Sequence, residues 1–101
     1  ISEGGNKVDG MATGVPNSTP ASPLRQMMTD QTAGAGQSKY LKYTLHETDD
    51  ASSTQWNGTT GVTYVSAGAA IVKTVYGFIP ENQVTAMDGS YADKVEVSVT
   101  Y

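Results

Sequence analysis

Few residue types in this chain can do chemistry, and their spacing does not gather them. His46 is the only histidine. It stands on the polar side of an alternating stretch, four residues before Asp50, and reads as a solvated surface side chain. Acid–base or metal chemistry would need convergent partners. The pair Asp49-Asp50 reads as a turn, because the further spaced oxygen ligands of a calcium loop are missing. Serines are plentiful, yet no Gly-x-Ser-x-Gly elbow occurs. Gly4-Gly5 and Gly34-Ala35-Gly36 lack the phosphate-loop spacing with Lys-Ser/Thr. No carboxylate pair is singled out for glycoside hydrolysis. Asn17-Ser18-Thr19 and Asn57-Gly58-Thr59 match the glycosylation sequon, a triplet common by chance. Trp56 and the six tyrosines remain. They would serve either as a sugar-binding platform or as core, with Tyr43, Tyr76 and Tyr101 packed inside and Trp56 covering one end. A small core uses aromatic burial first. The residues point to no enzyme, no cofactor and no metal.

The totals narrow the field further. At 101 residues the chain is one domain at most. A formal charge of −4 with six scattered basic residues speaks against nucleic acid and against a basic membrane-surface helix. No apolar run approaches the ~18 residues of a membrane span. Cysteine is absent, which removes disulfides and thiolate chemistry from this stretch. A small domain without disulfides needs another source of stability, and assembly is one. The chain carries no signal peptide and does not open on Met, so it reads as a processed or truncated product.

The elements expected to position these residues are short strands. Residues 9–23 hold Pro16, Pro20 and Pro23 among Gly, Ser and Thr, and read as a loop, as do residues 30–38 and 81–90. Leu24 to Thr29 reads as an edge strand. In 39–47 Leu41, Tyr43 and Leu45 alternate with Lys42, Thr44 and His46, the period of a strand with one buried face. Thr54 to Trp56 forms a short strand before the Asn57-Gly58 turn. Residues 61–66 and 70–79 are two further strands, with a bulge allowed near Gly77 and a stop at Pro80. From Asp93, Val95, Val97, Val99 and Tyr101 share one face and Lys94, Glu96, Ser98 and Thr100 the other. No segment sustains a 3.6 period. About six short strands and no helix beyond two turns define an all-β class, for which a sandwich is the natural packing.

Three segments together carry a resemblance. Gly89-Ser90-Tyr91-Ala92-Asp93 with the alternating end from Val95 to Tyr101 resembles the carboxy-terminal signature of the spore coat protein U family. Val75-Tyr76-Gly77-Phe78-Ile79-Pro80 resembles that family's Tyr-Gly-x-Ile-Pro element. Leu41-Lys42-Tyr43-Thr44-Leu45, followed by Trp56-Asn57-Gly58, resembles its central strand and turn. The order and spacing fit from about residue 24 onward. The resemblance implies a subunit of an archaic, Csu-type chaperone–usher pilus. It implies an incomplete immunoglobulin-like β-sandwich completed by a donor strand from a neighbouring subunit. The implied partners are identical or homologous pilus subunits, with a periplasmic chaperone and outer-membrane usher during secretion to the cell surface. Family members carry a donor segment and usually two cysteines ahead of the point where this sequence opens. Residues 1–101 are therefore expected to be one pilin-type domain lacking its amino-terminal strands. The groove that receives a donor strand is expected at Val95, Val97, Val99 and Tyr101. A carbohydrate-binding adhesin module is the rival reading.

Overall fold

A computed structural model of the chain describes residues 1–8, 17–60, 65 and 67–99. Among these residues there is no helix, and the regular structure is one antiparallel sheet. Its strands are β1 (Arg25–Met28), β2 (Tyr40–His46) and β3 (Tyr76–Phe78), in the order β1-β2-β3. β2 is central because it is the longest run of alternating β-formers, and it pairs along both edges. Arg25 lies opposite Tyr43 and Met28 opposite Tyr40 on one side. Thr44 lies opposite Phe78 and His46 opposite Tyr76 on the other. The fold is all-β and open, consistent with an incomplete immunoglobulin-like sandwich.

Among the described residues three of the about six expected strands form. Of the run 70–79 only Tyr76–Phe78 joins the sheet. Ile71, Val72 and Val75 stay exposed, since β2 has ended at His46 and offers no further partner. No bulge forms at Gly77, which sits in regular register opposite Leu45. A Cβ at Gly77 would lie 3.7 Å from Leu45 Cδ2, an ordinary contact, so packing there does not require the glycine. The strand expected at 54–56 contracts to one bridging pair, His46 with Gln55. The strand expected over 61–66 falls, apart from Val65, outside the described residues. The final segment 93–99 runs beside the sheet without forming a two-sided ladder.

The segments expected as loops carry no strand where they are described. Residues 17–23 are held by a Thr19–Ser22 turn, with main-chain hydrogen bonds of 3.2 Å in both directions. Ala35 is exposed, and Ser38 makes one bridging pair with Ala86. Residues 9–16, including Val15, lie outside the described residues. Both acidic turn and Asn-Gly turn are built by side chains. Asp50 Oδ1 accepts from Ser52 N and Ser52 Oγ, and these bonds hold its carboxyl below the usual carboxylate range. Asn57 Oδ1 accepts from the main-chain N–H groups of Thr59 and Thr60.

The interior is thin and polar. Tyr43, 9% exposed, is the only large apolar side chain buried among the described residues, beside Arg25 and His46 at 2% and Thr29 at 0%. The accessible surface is 7360 Å². A compact monomer of 10.6 kDa exposes about 5500 Å² by the usual size scaling. The chain thus leaves about a third more surface in water than its mass requires.

His46 corrects one expectation. It is not a solvated surface residue but sits between β3 and the 50–53 turn. Its Nε2 is 2.9 Å from Thr44 Oγ1 and its Nδ1 3.2 Å from Ser53 Oγ. Its ring meets Phe78 edge-on at 5.4 Å. Alternation placed it on the polar face; that face is covered as well, because the turn folds back over it.

Candidate functional site

The carboxy-terminal segment is positioned by β1 and by the first residues of the chain. Ala92 exchanges both main-chain hydrogen bonds with Met28, at 3.0 and 3.1 Å. Gly5 N then donates to Lys94 O at 2.9 Å, and Ser2 N to Glu96 O at 2.8 Å. Glu96 N donates to Ser2 Oγ. The main-chain groups engaged belong to residues 92, 94 and 96. In an extended chain successive residues offer their N–H and C=O to opposite sides. Residues 2–5 and β1 therefore close one edge of the segment. On the other edge, the main-chain groups of Val95, Val97 and Val99 have no partner among the described residues. Their side chains emerge progressively into solvent: Val95 is half-buried, Val97 63% and Val99 79% exposed. Tyr101 lies outside the described residues.

A polar hub at the root of this segment was not anticipated from sequence. Asp93 Oδ2 accepts from Tyr43 Oη at 2.6 Å. Asp93 Oδ1 accepts from Asn6 N at 3.0 Å, Asn6 Nδ2 at 3.2 Å and Lys94 N at 2.9 Å. Arg25 lies on the same face of the sheet as its cross-strand partner Tyr43. It donates through Nε and Nη2 to Ser2 O, through Nη2 to Trp56 O at 2.8 Å, and through Nη1 to Gln55 Oε1. One carboxylate and one guanidinium thus tie β1, β2, the first residues, the last segment and the loop after β2 together. The signal that could have found Asp93 is its place in the Gly89-to-Asp93 motif. Two glycines make room for this arrangement. Gly4 has φ +92°, and a Cβ there would collide with Asp93 Oδ2. Gly89 has φ +146°, and a Cβ would press to 3.0 Å from Thr29 Oγ1.

Burial depresses the proton affinity of the Arg25 guanidinium, opposed by Tyr43, Asp93 and Glu3; arginine nevertheless stays charged. Burial, then the hydrogen bond to Asp93, pushes the Tyr43 phenol well above its usual range. The folded state therefore favours the neutral phenol. Its contribution is complete below the unfolded value of about 10 and declines as pH rises above it. An alkaline titration followed by phenolate absorbance should lose, in Tyr43→Phe, a component ionising well above the ordinary phenol range. Loss of an ordinary component would contradict the buried hub.

Nothing in this arrangement reads as a catalytic or metal centre. Among the described residues no three His, Asp or Glu side chains converge. No helix long and apolar enough to cross a membrane occurs among them. Trp56 is half-buried, and its indole N–H is enclosed without a partner. What the arrangement offers is an extended segment, 93–99, with one main-chain edge unpaired among the described residues and flanked by valines. A model of one family, described as the Spore Coat Protein U domain, matches residues 8–98. No curated protein and no solved structure matches the chain.

Proposed function

Because the chain belongs to the Spore Coat Protein U domain family, we propose that it is a structural subunit of an extracellular pilus assembled by donor-strand complementation. The observation that carries this reading is the edge at Val95, Val97 and Val99, whose main chain has no partner among the described residues and whose valines emerge into water at Val97 and Val99. An extended segment from an identical or homologous subunit pairs with that edge and covers the valines. Repeated head to tail, the contact gives an open filament. The excess accessible surface supports a domain finished by a neighbour. During secretion the same edge is held by a periplasmic chaperone and handed on at the outer-membrane usher. Pilus location, adhesion and biofilm formation follow from this reading.

The test is assembly of the full-length protein secreted in its host. Electron microscopy should show filaments carrying it, and glycan-binding assays on the purified subunit should show no saturable sugar binding. A subunit that stays monomeric at the cell surface and saturates with a sugar would establish the adhesin module instead.

A further inference from the structure

We propose that Asp93 is a positioning residue that clamps residues 2–6 over one edge of the carboxy-terminal segment, so that a strand can be added only on the other. The inference rests on the filament reading and adds to it how the free edge is selected. Without the clamp, the segment beyond Ala92 would offer main-chain groups on both sides.

The geometry is specific to this carboxylate. Its two oxygens receive Tyr43 from the sheet, Asn6 through main chain and side chain, and Lys94 from its own segment. The Asn6 side chain also donates to Ala92 O. Residues 2–5 have no strand ladder of their own to hold them. Their place beside Lys94 and Glu96 depends on two main-chain bonds, the Ser2 hydroxyl, and Arg25 on Ser2 O. Gly4, in a left-handed conformation against the carboxylate, lets the main chain come close enough. A hydrogen bond to a charged group is among the stronger ones, so removing the carboxylate should release this stretch before it disturbs β1 and β2.

The experiment uses the full-length protein and three changes: Asp93→Ala, Gly4→Ala, and the pair Ser2→Cys with Glu96→Cys, which tethers the first residues across the edge they cover. In Asp93→Ala, hydrogen exchange should accelerate roughly ten- to hundredfold at the amides of Ser2, Gly5 and Glu96. Amides between β1 and β2 should stay within about threefold of the parent. Gly4→Ala should give the same selective pattern with Asp93 intact. Asp93→Ala should form fewer filaments than the parent, the tethered protein should still form them, and the tether should restore filament formation to Asp93→Ala. An equal rise at all amides would make Asp93 merely structural and overturn the proposal. A tethered protein that fails to assemble, while the reduced protein assembles, would overturn it too, because residues 2–6 would then have to leave. If the parent protein forms no filaments under any condition, the filament reading falls, while the exchange pattern still decides whether the clamp exists.

Discussion

Val97→Asp should abolish filament formation while leaving the subunit folded. In the single chain Val97 is largely exposed and its main chain has no partner among the described residues, so the carboxylate meets water and the sheet does not register the change. At the proposed joint the same side chain would be covered by the added strand. An unpaired carboxylate in an apolar contact costs several kcal/mol, of the order of 4, which lowers the joint's equilibrium constant about a thousandfold. Glu96→Gln, whose main chain faces Ser2, should assemble as the parent does. The readout is filament number by electron microscopy, with secreted subunit quantified alongside. Normal filaments from Val97→Asp would remove the 95–99 edge from the joint.

Arg25→Ala should have the opposite signature, loss of the fold itself. Arg25 is 2% exposed and satisfies the carbonyls of Ser2 and Trp56 together with Gln55. Deletion leaves those acceptors short of donors and opens a void in a domain whose described residues bury one large apolar side chain, Tyr43. A cost of about 3–5 kcal/mol is expected, enough to unfold a domain of marginal stability. Arg25→Lys should recover little, since one ammonium cannot reproduce the planar fork. Urea denaturation of the purified subunit checks this. A midpoint unchanged in Arg25→Ala would mean that the buried guanidinium contributes nothing net.

These two residues mark what the sequence showed and what it hid. β2 was legible because alternation in Leu41, Tyr43 and Leu45 reflects the period of a strand, and β1 because Leu24 to Thr29 is a short apolar run. The acidic and Asn-Gly turns were legible because short polar side chains bond their own main chain. The family, too, could be read from three ordered motifs, and its model spans residues 8–98. Strand length was not legible. Whether Val72 or Val97 joins a ladder depends on a neighbour, and a sequence pattern does not say whether one is there. The buried Arg25 was hidden because two of its partners are carbonyls from Ser2 and Trp56, which carry no residue-type signal. His46 was misplaced for a related reason: the covering turn at 50–53 is a tertiary event.

The lopsided closure of the final segment also separates spare subunits from used ones. A copy outside a filament presents an extended edge at Val95, Val97 and Val99 whose main chain is unpaired among the described residues, with Val97 and Val99 exposed. Exposed extended backbone of that kind is what proteases engage. On the donor-strand proposal, a copy within a filament would present no such edge, because its neighbour would lie on it. Quality control would then need no dedicated recognition tag. Subunits that missed assembly would be degraded through the very surface that assembly hides, and the mature fibre would be spared by its own construction.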